Sequence, residues 1–211
     1  KLKTLNKEEA NKFYEDYLES NNEILEKMNE NDYIMLDNAF YIGEGDIDKE
    51  KLNKQNKFLD NYGLEVVEIE EGFMLTEKKD FYYNIFKDYV TDDYKEYLKI
   101  TSNENEEHYV ADSGLCITLE ELGDRIVTWE NFLEKYPNSK LNDKVNNICN
   151  SYRRDYILGV PGGIYDYKES AEEYNRFIKK YPNSPTVELI KYFLENYQND
   201  NIQELIQNKK R

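Results

Sequence analysis

Phe132-Leu-Glu-Lys-Tyr136-Pro137-Asn138-Ser139 returns 45 residues later as Phe177-Ile-Lys-Lys-Tyr181-Pro182-Asn183-Ser184. The likeness reaches upstream, where Trp129 in the first copy stands at the place of Tyr174 in the second. Each copy reads as the end of one helix, a turn and the start of the next. Proline cannot continue a helix, and the residue before it disfavours helical geometry, so one helix stops near Tyr136 and another near Tyr181. The serine beyond each stop can cap the following helix. Pro185 then suits a first helical position, where a missing N–H costs nothing. The doubled stretch therefore predicts two helix–turn–helix corners, at Tyr136–Ser139 and Tyr181–Ser184.

The flanking sequence supplies the helices. Thr118-Leu-Glu-Glu121 is a capping box that opens a helix carrying Leu122, Ile126, Trp129, Phe132, Leu133 and Tyr136. Its partner runs from Ser139 through Leu141, Val145, Ile148, Cys149 and Tyr152 to about Leu158, before a Gly159-Val-Pro-Gly-Gly163 loop. Asp166 or Ser170 begins the next helix, with Ala171, Tyr174, Phe177 and Ile178. Ser184 begins a fourth, whose Val187, Ile190, Phe193, Leu194 and Tyr197 are expected to face inward. Asp200 with Gln203 caps a last short helix, and Lys209-Lys-Arg211 is a frayed tail. Phe-x-x-x-Tyr recurs without proline at Phe58/Tyr62 and Phe193/Tyr197, which marks the aromatics as anchors of helix ends.

Upstream, Asn6 and Glu9 form another capping box. Ala10, Phe13, Tyr14, Tyr17, Leu18, Ile24, Leu25 and Met28 trace a stripe at helical period, and Asn29-Glu-Asn-Asp32 is expected to end it. Tyr33 to Ile42 reads as a separate short helix, and Gly43-Glu-Gly45 breaks the chain. Asp48 caps a helix with Leu52, Phe58 and Leu59, stopped by Gly63. Residues 64–76 change character: Leu64, Val66, Val67, Ile69, Phe73, Met74 and Leu75 flank Glu70-Glu71-Gly72, the pattern of a β-hairpin. A lone hairpin is marginal in water, so it is expected to lie on the helices or to join another strand, which His108–Val110 or Leu115–Ile117 could supply. Asp80 opens an aromatic-rich helix, Thr91-Asp-Asp restarts it, and Ser102 to Glu107 reads as a polar loop.

Composition narrows the class. Among 211 residues, 20 Tyr and 9 Phe supply the burial that disordered segments lack, although charged residues make up 34%. The abundance of Lys, Asn, Ile, Glu and Tyr is that of an AT-rich bacterial genome. The formal net charge of -16 is uneven: residues 1–150 hold 35 acids against 18 bases, whereas 151–211 are almost balanced. Such a surface repels phosphate backbones, which argues against nucleic acid and leaves either a solvated acidic face or one that meets a basic partner. No run approaches the roughly 18 apolar residues of a membrane span. The chain opens Lys-Leu-Lys without Met, as expected if a signal or lipid-anchored segment preceded it or if cloning set its start.

No residue set spells a reaction, and an enzyme is the least favoured class. His108 is the only histidine, which removes most Ser-His, Cys-His and histidine-rich metal schemes. Asp112-Ser113-Gly114 beside Cys116 lacks a nucleophile elbow. Cys116 and Cys149 match no zinc spacing; they form one disulfide or are two buried free thiols. Gly43-Glu-Gly-Asp-Ile-Asp48 lacks calcium-loop spacing, and Gly159–Gly163 lacks the Gly-Lys-Ser/Thr of a phosphate cradle. Glu120/Glu121 and Glu172/Glu173 are adjacent acids that point apart and complement helix dipoles. No cofactor or metal site is expected. Arg153-Arg154, a local basic pair in an arginine-poor chain, is the candidate interaction site: it binds an anionic group or a partner acid, or pairs with Asp155 and nearby glutamates.

Phe-x-x-x-Tyr-Pro-x-Ser followed by a helix resembles the tetratricopeptide-like repeats of bacterial cell-envelope lipoproteins, over about residues 118–197. The period of 45 exceeds the usual ~34, and small residues that let such helices pack closely are scarce. The fold class expected is mainly α, with TPR-like helical hairpins and a small β-hairpin or short β-sheet near residues 64–76. An acidic helical region spans 1–117 and a helical-repeat region 118–211, packed as one globular unit. The resemblance implies a non-enzymatic scaffold that binds another protein, in the cell envelope or outside the cell, with a cytoplasmic location as the alternative. The competing functional reading is a small-ligand or glycan-binding module built on an aromatic-lined groove.

Overall fold

The computed structural model of the protein describes residues 1–42, 46–69, 72–105, 109–111, 114–161 and 167–198, without the side chains of 30–39, 111 and 167–169. Helix α1 runs unbroken over Lys7–Ala39, entered through the Asn6/Glu9 capping box. The stop expected at Asn29–Asp32, and the separate helix after it, do not occur. Asparagine weakens helices when its side chain competes for nearby backbone. Here Asn29 is engaged elsewhere: its carboxamide accepts from the Leu75 N–H and donates to the Leu75 carbonyl, both at 2.9 Å. The buried line of α1 passes through Ala10, Asn11, Tyr14 and Leu25, so Ile24 and Met28, expected in the apolar stripe, lie on the surface.

A two-residue ladder, β1 (Tyr41–Ile42) with β2 (Asp46–Ile47), leads to α2 (Lys49–Leu59), whose cap Asp48 accepts from the Lys51 N–H at 2.9 Å. Leu59 is buried, but Phe58 points out to solvent. A 3-10 turn over Asp60–Tyr62 ends at Gly63, whose φ of 69° is left-handed, as the glycine stop requires. Strands β3 (Leu64–Ile69) and β4 (Gly72–Glu77) then pair antiparallel, with Val66 opposite Leu75. Glu70 and Glu71 of the expected turn lie outside the described residues. The inner face of the hairpin buries Val66, Phe73 and Leu75 with Leu25, Phe40 and Leu59.

Helices α3 (Phe81–Phe86) and α4 (Asp92–Glu104) complete this part. Helix α4 takes in Ser102–Glu104, expected as loop, because Ile100 is still packed in the core. An aromatic cluster ties α1 to both helices: the Tyr14 ring lies 5.3 Å from Phe86 and 6.2 Å from Tyr94, each edge-on. Burial pushes the Tyr14 phenol well above its ordinary value.

Of the two outcomes expected for the hairpin, packing on helices is the one that occurs, with β4 on α1 and β3 on α2; among the described residues no third strand joins it. Segments β5 (Val110–Ala111) and β6 (Gly114–Leu115) pair with each other. The chain divides into two compact units between Asn105 and Glu106, ahead of the boundary expected after residue 117. The reason is Tyr109, whose ring packs edge-on against Tyr152 at 4.8 Å and whose hydroxyl donates to Asp155 at 3.0 Å, so this segment belongs with the C-terminal helices.

The second unit contains α5 (Leu119–Lys135), α6 (Asn142–Leu158), α7 (Tyr167–Lys180) and α8 (Thr186–Asn196). Helix α5 packs on α6 and α7, and α8 packs on α6 and α7. The hairpins α5–α6 and α7–α8 thus stack like with like around Ile126, Trp129, Phe132, Tyr156, Tyr174, Phe177 and Ile190, all fully buried. Gly123 permits a close approach: a Cβ there would sit 3.1 Å from both Phe177 and Tyr156. The protein is mainly α, with small antiparallel two-stranded ladders. Among the described residues, no helix is long and apolar enough to cross a membrane.

Candidate functional site

The two corners repeat down to single contacts. Tyr136 N–H donates to Phe132 O at 2.9 Å and Ser139 N–H to Tyr136 O at 3.0 Å; the bonds from Tyr181 and Ser184 measure 2.8 and 3.0 Å. The Phe132–Tyr136 and Phe177–Tyr181 rings stand 5.1 and 5.2 Å apart. Lys135 and Lys180 each lie 5.0 Å over the following tyrosine ring. Each serine hydroxyl accepts from the amide two residues on, Leu141 at 3.2 Å and Thr186 at 3.1 Å. The helices begin slightly later than expected, at Asn142 and Thr186, so Pro185 is the N-cap and not the first helical residue. Ser170, one of two expected starts for α7, is buried within that helix. Asp166, Asp200, Gln203 and Lys209–Arg211 lie outside the described residues.

The second corner borders a cleft of about 710 Å3. One wall is a strip of α5 formed by Val127, Glu130, Asn131 and Glu134, of which Glu130 is buried, and the other is the turn Tyr181–Pro185. A polar clasp fastens its floor. Arg153 Nη2 lies 2.7 Å from Glu130 Oε1, and Arg153 Nε donates to Thr186 Oγ1 at 2.8 Å. Thr186 and Ser184 hydroxyls each donate to Glu130, at 2.6 Å. Arg153 Nη1 also donates to Asn150 Oδ1 at 3.2 Å. Three helices and the turn between α7 and α8 meet in this network.

A neighbouring set holds α7 to α5. Asp124 accepts from Tyr181 at 2.8 Å and pairs with Lys180 at 3.0 Å and Arg176 at 3.3 Å. Burial pushes the Asp124 carboxyl up, but the bonds from Lys180 and Tyr181 and the two cations outweigh it and hold the group below its ordinary 3.8. Arg176 is raised, chiefly by its bond to Glu173. Its Nη1 sits 3.3 Å from Glu120, near enough for an ion pair yet not aligned for a hydrogen bond.

Both arginines of the sequence candidate therefore have internal partners. Arg153 has 13% of its side chain exposed against 8% for Glu130. Arg154 pairs with Asp155 at 2.7 Å and is 38% exposed. Only Arg153 borders the cleft. The acidic doublets are divided in the same way: Glu121 closes the Thr118 capping box and Glu173 receives Tyr156 and Arg176. Cys149 is buried, whereas Cys116 is exposed, and both are free thiols, so neither the disulfide nor the pair of buried thiols occurs. His108, Asp112, Ser113, Gly43–Gly45 and Gly162–Gly163 lie outside the described residues. Among the described residues, no group of three or more His, Cys, Asp or Glu side chains is placed to hold a metal ion.

A second cleft, of about 480 Å3, lies in the first unit where the Asp60–Gly63 turn meets the start of α3. Tyr17, Tyr62 and Phe81 line it together with Asp60, Lys78 and Asp80. In comparisons with known proteins, no family model, no curated protein and no solved structure matches the chain. The residues and their geometry carry the functional reading.

Sequence reasoning missed Glu130, Ser184 and Thr186 as one network. The signal available was an acid beside Trp129 on the inward side of an amphipathic helix, which calls for a cationic or hydroxyl partner. Nothing in the sequence says that Arg153 and the second corner provide it.

Proposed function

We propose that the chain is a non-enzymatic interaction module that holds a peptide segment of another protein in the cleft beside the second Tyr-Pro-Asn-Ser turn. The observation that carries this reading is the pre-ordered wall of that cleft. Glu130, Arg153, Ser184 and Thr186 are already bonded to one another, and Tyr181 is tied to Asp124. A wall that gives nothing up on binding loses little conformational entropy, which favours recognition by shape. Val127, Pro182 and Pro185 offer apolar contact, and Asn131, Glu134 and Asn183 offer hydrogen bonds at the rim. The likeness of the doubled motif to the repeats of envelope lipoproteins supports a scaffold role in the bacterial cell envelope.

The test is selection of a random peptide library on the intact chain, followed by calorimetry of the enriched peptides. Val127→Trp fills the cleft from an incompletely buried position and is expected to weaken binding at least roughly tenfold, a loss of ~1.4 kcal/mol. Enriched peptides whose affinity ignores Val127→Trp, or a library that yields no enrichment, would overturn the assignment.

A further inference from the structure

The cleft of the first unit has a different chemistry from the peptide cleft. The Phe58 and Tyr62 rings lie 5.5 Å apart at the end of α2 and are 58% and 59% exposed. Tyr62 thus presents aromatic surface at the mouth of the cleft, with Phe58 against it. Phe81 forms the floor, covering Gly63 so closely that a Cβ at that glycine would fall 2.0 Å from the Phe81 ring. The Tyr17 ring stands 6.3 Å from Phe81. The segment is fixed by backbone bonds from Lys78 N–H to Gly63 O and from Phe81 N–H to Lys78 O, each 2.9 Å. Phe81 is therefore held in place over Gly63 without a ligand.

The polar side chains stand in pairs beside this aromatic wall. Lys78 pairs with Asp60, and Asn84 donates to Asp80 Oδ2 at 2.6 Å. A carboxylate offers up to four lone-pair sites and a carboxamide both donates and accepts, so each pair retains capacity towards the cleft. Aromatic faces are negative and attract polarised C–H groups, whereas vicinal hydroxyls suit carboxylate, amide and ammonium groups. The ligand that offers a C–H face and a hydroxyl rim together is a pyranose ring. The volume lies within the range of small-molecule sites. Charge narrows the class further: residues 1–105 hold 26 acidic against 14 basic side chains, a field that disfavours uronic, sialic or sulfated sugars.

We infer that this cleft binds a neutral saccharide, with Tyr62 stacking on one sugar ring and Asp60, Asp80 and Lys78 reading its hydroxyls. The site is independent of the peptide cleft, which belongs to the other unit.

The experiment is a printed array of neutral and acidic oligosaccharides probed with the intact chain, followed by NMR titration of the strongest binder. A neutral glycan is expected to bind. Tyr62→Ala, which removes an exposed ring, is expected to leave the circular dichroism spectrum unchanged and to weaken binding at least roughly tenfold. Asp80→Ala is expected to weaken it as well. Tyr197→Ala, an exposed tyrosine of the second unit, is expected to leave binding unchanged. An array with no neutral ligand, an acidic glycan as the tightest binder, or a neutral glycan indifferent to Tyr62→Ala would each overturn the inference. Val127→Trp acts on the peptide cleft alone, so the two assignments can fail separately.

Discussion

Glu130 shows how one side chain can hold a repeat together. Its carboxylate receives Arg153, Ser184 and Thr186, groups that come from α6, from the turn before α8 and from the start of α8. Removing one partner of a buried ion pair leaves the other charge unpaired, which costs more than the pair itself contributes. Glu130→Ala is therefore expected to destabilise the protein by about 3 kcal/mol or more in urea titration. Glu130→Gln keeps an acceptor for Thr186 and is expected to cost clearly less. A double replacement, Glu130→Met with Arg153→Leu, is expected to recover most of the loss; failure to recover would show that the clasp specifies the corner and is more than a tolerated ion pair. The same residue scale explains why Arg153-Arg154 was legible only as a pair. Their charge and adjacency are in the sequence, but their partners lie 23 residues upstream for Arg153 and next door for Arg154.

The β3–β4 hairpin is the element whose survival needs explaining, because two strands alone are marginal in water. Val66 and Leu75 face each other across the pair and turn their backbone groups outward. Asn56 on α2 accepts from Val66 N–H at 2.7 Å and donates to Val66 O at 3.0 Å. Asn29 on α1 does the same for Leu75. A carboxamide thus stands on each edge where a neighbouring strand would be, closing the positions at which another chain could add. Each bracket makes two hydrogen bonds, worth about 1 kcal/mol apiece. Asn56→Ala and Asn29→Ala are each expected to lower stability by about 2 kcal/mol. The double variant is expected to bind thioflavin T on incubation while the wild type does not. Asp at either site keeps the acceptor but loses the donor, so Asn56→Asp should fall between. The hairpin itself was legible from apolar alternation around Glu70-Glu71-Gly72. The brackets were not, because asparagine reads as a loop or helix-ending residue until a distant backbone is seen to occupy it.

At the scale of the molecule, acid is the condition to which the fold answers most directly. Asp124, joining α5 to α7, is held below its ordinary value, and Glu121 in the Thr118 capping box is lowered too, first by the Thr118 side chain. A carboxylate with a depressed folded-state pKa contributes stability above its unfolded value and loses it as pH falls through the folded one. Thermal melts are therefore expected to be flat from neutral pH to about 5 and to fall steeply below about 4. Asp124→Asn is expected to be less stable than the wild type at neutral pH, with the gap closing as pH drops below 3.8. A gap that stays constant through that range would exclude Asp124 as a source of the acid response.

What the sequence by itself determined is local. The Asn6 and Thr118 capping boxes, the Asp48 cap, the Gly63 stop and both Tyr-Pro corners rest on bonds between residues a few positions apart, and local chemistry suffices to specify those. Helix class followed from apolar spacing for the same reason. The tertiary structure decided whatever depends on residues far apart along the chain. It carried α1 through Asn29–Asp32, because Leu75 occupies the asparagine that would otherwise compete with the helix. It moved the unit boundary ahead of Tyr109, because Tyr152 and Asp155 hold that ring. It sent Phe58 and Tyr62 outward, although their spacing matches the buried Phe132 and its neighbour Tyr136, because α2 buries Leu59 against the hairpin and leaves the adjoining face to solvent. Spacing sets which residues share a face; only the packed chain sets which face is covered.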